Sequence, residues 1–169
     1  MGGMVGQGLA VRHPELVKAL VLANTSSKYP EAAAAVFAQR VQAVQSGGMA
    51  AIADAVMERY FSAAFRTAQP EAVAAARATV LRCDPVGYAA CCQAVGGVDW
   101  LGRLNTVTCP TLIIAGALDV GAPVAMSQAM AERIPGAELV VFDEASHLSV
   151  AEQPAQFAQV LQGFLMRAA

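Results

Sequence analysis

Three short apolar runs constrain the fold more than any other feature: Leu20-Val21-Leu22-Ala23, Leu112-Ile113-Ile114-Ala115 and Leu139-Val140-Val141-Phe142. None alternates with polar residues, which is how a strand covered on both faces of a parallel sheet reads. A buried stretch of helix looks the same over so few residues, so the flanks decide. Asn24 follows the first run, Pro110 precedes the second and Gly136 precedes the third. These are turn formers, and the runs are expected to be strands.

Helical periods separate them. Met4 to Arg12 reads as a helix that stops at His13-Pro14, because the residue before a proline is pushed out of the α region. Val124 to Ile134 ends at Pro135-Gly136, and Pro154 to Met166 puts Phe157, Val160, Leu161, Phe164 and Leu165 on one face. Helices alternating with parallel strands predict an α/β fold.

The middle, Tyr29 to Asp99, is alanine-rich and has no strand signal. Val36, Phe37, Val41 and Val44 make one helical stripe and Ile52, Val56, Tyr60 and Phe61 another, while Gln69-Pro70-Glu71 opens a further helix. This insert reads as a helical cap. The expected division is core over 1–28, cap over 29–99 and core over 100–169, with no internal repeat.

Composition narrows the function. A chain of 169 residues suits one domain, and a net charge of -2 with 14% charged residues leaves no basic face for nucleic acid or anionic lipid. The longest apolar stretch, Ala32 to Ala38, is far below the roughly 18 residues of a membrane span, and no secretory pattern is seen. A cytoplasmic protein acting on a small neutral or anionic molecule is the expectation. Cys83, Cys91, Cys92 and Cys109 have neither disulfide-framework nor C-x-x-C spacing, and are expected to be buried thiols. No metal is implied by one loop histidine and scattered cysteines, and Gly6-Gln7-Gly8 lacks the rest of a dinucleotide fingerprint, so no cofactor is expected. A hydrophobic content of 56% is high enough to predict that part of the surface is normally covered.

Two residues suit chemistry. The second strand ends near Gly116 and is followed by Asp119 and Pro123; the third ends near Asp143 and is followed by Glu144-Ala145-Ser146-His147. Both side chains would then project from loops at the C-terminal edge of the sheet, where open α/β sheets place ligands. A carboxylate that accepts from one imidazole nitrogen fixes the tautomer and leaves the other as a base. Taken singly, Asp119 also suits a turn or helix cap, and His147 a packing role. His13, before a proline at a helix end, is expected at the surface.

The opening Met1-Gly2 fits the last two places of the G-x-S-x-G nucleophile elbow. With Gly116-x-x-Asp119-x-x-x-Pro123 and Ala145-Ser146-His147-x-x-x-x-Glu152-x-Pro154, the chain resembles the last two-thirds of an α/β-hydrolase. Through Asp84-Pro85-x-Gly87-Tyr88-x-x-Cys91-Cys92-x-Ala94 it resembles, within that family, the 3-oxoadipate enol-lactonases. It departs from them at Gly96-Gly97-Val98-Asp99, where they carry an Arg-Asp-Met-Asp-like stretch.

The resemblance implies His147 as general base and then acid, Asp119 as its orienting partner, and the backbone N–H of Met1 as one oxyanion donor. The nucleophilic serine would stand just before Met1, so the chain as it stands is expected to be inactive, and the substrate would be a lactone or ester. Five more strands and two helices would precede Met1. Without them the strand Ala19 to Ala23 would have a bare edge, predicting self-association or a partner carrying the missing half. A carboxylesterase, dehalogenase-like or haloperoxidase-like hydrolase is the alternative, as is a non-catalytic subunit. Arg59, Arg66, Arg77 and Arg82 are available to bind an acidic lactone or simply face solvent.

Overall fold

The computed structural model describes residues 1–168; Ala169 lies outside the described residues. Its strands are β1 (Leu20–Ala23), β2 (Thr111–Gly116) and β3 (Glu138–Phe142), parallel and in the order β1-β2-β3. Leu22 lies opposite Ile113, and Ile114 opposite Val140.

The central strand behaves as the unbroken pattern predicts, with every residue of β2 buried. Ile113 packs with Leu20, Leu22, Ala10, Met130 and Ile134 on one face, while Leu112 and Ile114 pack with Phe142 and Phe164 on the other. The outer strands are less covered than expected. In β1 Leu20 and Leu22 are buried but Val21 and Ala23 only half so, and β3 opens at exposed Glu138 and fully buries only Phe142. Each has a strand neighbour on one side only among the described residues, so an apolar run alone does not measure burial.

Helix α1 (Gly2–Arg12) precedes β1 and ends, as expected, at His13. Gly3 lets it approach the loop after β1: a Cβ there would fall 2.6 Å from the Thr25 side chain. Met1, Val5 and Leu9, spaced by four residues, leave an apolar stripe in solvent on the α1 side.

Between Lys28 and Asp99 the chain forms α2 (Ala33–Gly47), α3 (Ala53–Tyr60), α4 (Ala63–Ala68), α5 (Pro70–Leu81) and α6 (Pro85–Gly96). These have a core of their own, built on Val44, Met49, Ile52, Val56, Met57 and Phe61. Val36 stands outside it, exposed. The segment starts and finishes at one place: Lys28 and Asp99 pair backbones and join Nζ to Oδ2 at 2.6 Å, and the Trp100 N–H donates to the Ser27 carbonyl at 2.8 Å.

Helices α7 (Val124–Arg133), α8 (Ser149–Glu152) and α9 (Pro154–Ala168) complete the fold. On α9 Phe164 is buried and Phe157, Val160 and Leu161 are half-buried, but Leu165 is exposed. It follows Phe164 by one residue, a rotation of about 100° that takes it off the stripe.

Candidate active site

The site begins with a missing Cβ. β2 ends at Gly116, and a Cβ there would sit 2.4 Å from the carbonyl oxygens of both Ala145 and Ser146. Only glycine lets the loop after β3 cross the end of β2 this closely. The Ala117 N–H donates to the Phe142 carbonyl at 2.9 Å and the Leu118 N–H to that of Ala145 at 3.0 Å, so the two loops are laced together.

This lacing brings Asp119 and His147 into contact, with Nδ1 2.8 Å from Oδ2. The second carboxylate oxygen, Oδ1, accepts from the N–H groups of Gly121 at 2.7 Å and Ala122 at 2.9 Å. The Asp119 side chain is fully buried and that of His147 is 25% exposed. Burial alone would raise the Asp119 carboxyl. The hydrogen bond and charge of His147, then the Ala122 and Gly121 amides, outweigh it and hold the carboxyl below its ordinary value. An ionised Asp119 only accepts, so Nδ1 carries the proton and Nε2 is left as the basic nitrogen.

The histidine loop is fastened from several sides. Glu152 accepts from the Ser146 N–H at 2.8 Å and from the Ser62 N–H at 3.1 Å. The Leu148 N–H donates to the Tyr60 carbonyl at 3.0 Å, and the Ser146 hydroxyl lies 3.2 Å from the carbonyls of Arg59 and Leu118. The Tyr60 ring stacks on His147 with centroids 5.1 Å apart. From the tip of β1, Asn24 donates to the Ser146 carbonyl at 3.1 Å and to Asp119 Oδ2 at 3.4 Å, and accepts from the Ser149 hydroxyl. Read as sequence, Asn24 is only a turn former and Glu152 only part of a family pattern. Nothing local in the chain marks either as a neighbour of the carboxylate or the histidine loop.

His147 lines a cavity of about 480 Å³ between the strand tips and α2, α3 and α6. Met1, at the start of α1, lines the same cavity, as do Arg40, Arg59 and Tyr88. Of the four arginines singled out by sequence, only Arg59 reaches it. Arg66 donates to the carbonyls of Glu58 and Phe61, Arg77 pairs with Asp54 at 2.6 Å, and Arg82 donates to Thr79. Arg40, which shares the helix face of the first cap stripe with Phe37 and Val44, joins Arg59. Neither has a carboxylate within 4 Å among the described residues. Burial, then the neighbouring Arg40 charge, lowers the Arg59 guanidinium, and burial raises Tyr29 and Tyr60 and pushes Tyr88 up to about 12. The wall thus offers cations and neutral phenols.

Ser146 and Ser149, the serines nearest His147 in sequence, hydrogen-bond elsewhere. The cysteines differ from expectation: Cys92 is buried, but Cys91 and Cys109 are half-buried and Cys83 is exposed. Cys83, Cys91 and Cys92 line the cavity wall, where turns and helix faces open onto space rather than core. His13 is exposed beside Glu15 at 3.5 Å. Among the described residues no group of three His, Cys, Asp or Glu could hold a metal ion, and no helix is long and apolar enough to cross a membrane.

Comparison with known proteins bears on the family and the fold. A hydrolase family model described as serine aminopeptidase, S33, matches residues 1–154. 3-oxoadipate enol-lactonase 2 of Acinetobacter baylyi is 36% identical over 99% of this chain and 61% of its own length. The pimeloyl-[acyl-carrier protein] methyl ester esterase of Aromatoleum aromaticum is 31% identical over 96% of this chain and 70% of its own. Among solved structures, the enol-lactonase from Burkholderia xenovorans superposes with a TM-score of 0.93 at 32% identity, covering 98% of this chain and 63% of that one. The chain therefore spans about 61% of the length of the enol-lactonase relatives it matches.

Proposed function

The chain belongs to the α/β-hydrolase family, and from that premise we propose that it forms the acid–base part of an ester or lactone hydrolase whose substrate carries a carboxylate. The observation that carries this reading is the 2.8 Å contact of His147 Nδ1 with buried Asp119, with His147 lining the cavity that also holds Arg40 and Arg59. In this reading a serine in the portion of the relatives not spanned here attacks the ester carbonyl as Nε2 of His147 takes its proton. Asp119 steadies the resulting imidazolium. His147 then returns the proton to the leaving oxygen, and repeats the exchange with the water that releases the acyl group. The main-chain nitrogen of Met1 acts as an oxyanion donor, and the helices between Lys28 and Asp99 form a cap.

The enol-lactonase relatives and the two unpaired guanidiniums favour an anionic lactone such as a 3-oxoadipate enol-lactone over a neutral ester. The test is an assay of the polypeptide extended to include a G-x-S-x-G elbow, offered an enol-lactone and a series of acidic and neutral esters. Ring opening that disappears in His147→Ala and drops roughly 10⁴-fold in Asp119→Asn is expected. Full turnover in His147→Ala would refute the assignment.

A further inference from the structure

Asn24 is the one non-glycine residue among those described with a positive φ, +46°. An L-residue in the left-handed region crowds its Cβ against the following carbonyl, at a cost of roughly 1–2 kcal/mol, and asparagine tolerates it better than most. A turn at the end of β1 explains the backbone and would be served still better by glycine. It does not explain the side chain, which touches both loops of the site.

The amide is used at both ends. Its Nδ2 meets two groups that only accept, a carboxylate and a backbone carbonyl, which fixes which end of the amide points where, and its Oδ1 accepts from the Ser149 hydroxyl. The Nδ2 group donates to Asp119 Oδ2 at 3.4 Å and to the Ser146 carbonyl at 3.1 Å. Oδ2 is the same oxygen that receives His147. The backbone of Ser146 immediately precedes the histidine. One amide therefore holds the carboxylate and the histidine loop against each other, from a third strand that carries neither.

We infer that Asn24 is a positioning residue for the Asp119–His147 pair, keeping Oδ2 in line with Nδ1 and so keeping the imidazole in the tautomer with a bare Nε2. This rests on the acid–base reading of that pair, but its test does not use turnover. The whole chain has two histidines, and exposed His13 can be identified by replacing it with glutamine. Ring ¹⁵N shifts of the neutral His147 imidazole report the ratio of the Nδ1–H to the Nε2–H form.

In the parent chain the Nδ1–H form is expected to dominate. Asn24→Gly keeps the backbone at ease and removes the amide, so a residue kept only for its turn would leave the ratio alone. A positioning residue would let it fall by roughly 3- to 10-fold, the range given by a lost side-chain hydrogen bond. Ser149→Ala, which removes the hydroxyl that steadies Oδ1 and loosens the amide without touching the turn, should shift the ratio the same way by less, and decides the matter if Asn24→Gly does not fold. An unchanged ratio in the folded variants overturns the inference and leaves the pair intact. A parent chain already in the Nε2–H form overturns the pair itself, and Asn24's role with it.

Discussion

Ser62 and Glu152 are joined by a 3.1 Å hydrogen bond from the backbone of the helical segment to the carboxylate that also holds Ser146. One side chain thus fastens the end of α3, the start of α4 and the histidine loop together. Bonds to a charged acceptor are worth about 1.5–3 kcal/mol each, and truncation leaves two partly buried amides without partners. Glu152→Ala is expected to lower the unfolding free energy by about 3 kcal/mol, with Glu152→Gln losing less because one oxygen remains. Urea melts of the two variants against the parent give the answer, and equal losses would mean that the charge of the carboxylate, not its oxygen geometry, carries the fastening.

Gly116→Ala should be among the most damaging single substitutions. The added methyl meets two backbone carbonyl oxygens at 2.4 Å, and backbone cannot rotate away as a side chain can. The histidine loop must lift from the end of β2, losing the bonds between Ala117 and Phe142 and between Leu118 and Ala145. A loss of about 3 kcal/mol is expected, at the upper end for overpacking. The ¹⁵N signals of His147 should move with it, since the loop carries the imidazole away from Asp119.

The sequence makes some of this legible and hides the rest for physical reasons. β2 is plain because both its faces are covered by apolar helices, so burial leaves an unbroken run. β1 and β3 carry similar runs yet are partly exposed, since composition records what a strand tolerates and not how many neighbours it has. Asp119 and His147 can be paired on paper because each follows a strand in a parallel sheet, which puts the loops on the same edge. Asn24 and Arg40 cannot, because their roles depend on contacts with residues far along the chain. A left-handed turn and a single arginine on an apolar helix face look the same whatever they meet.

The carboxyl of Asp119 links stability to acid. Its folded-state titration lies below the ordinary value because the His147 bond and two amides outweigh burial. A depressed carboxylate contributes stability that is present above its unfolded pKa, about 3.9, and is lost as pH falls through the lower folded value. The parent chain should therefore exceed Asp119→Asn by about 2 kcal/mol at pH 6, with the gap closing below pH ~4. Urea midpoints of both across that range test the sign, and a gap that widened in acid would mean that Asp119 is held in its neutral form.

The cavity arginines make a prediction about substrate charge. Arg40 and Arg59 face the space beside His147 without a carboxylate of their own, and partial burial strengthens their attraction for an anion. In the extended polypeptide, Arg59→Leu is expected to raise KM for an acidic ester or lactone by roughly 10- to 100-fold, from loss of a charge-assisted bond. The rise for a neutral ester of the same size should be smaller. Equal rises for both would assign Arg59 to packing around Tyr60 and remove the case for an anionic substrate.

The outer edge of β1 and the stripe of Met1, Val5 and Leu9 lie on elements that follow one another in the chain, α1 and then β1. Val5 is 67% exposed and Leu9 40% exposed. The edge carries no proline or inward charge to discourage pairing, so chains are expected to associate through it, with the stripe adding apolar area. Light scattering across a concentration series should show mass rising above that of one chain. Glutamates at the two positions, Val5→Glu with Leu9→Glu, touch no buried core and should return the chain toward a monomer. A parent chain that stays monomeric at high concentration would show that the β1 edge is already protected by its own twist or by the loop that follows it.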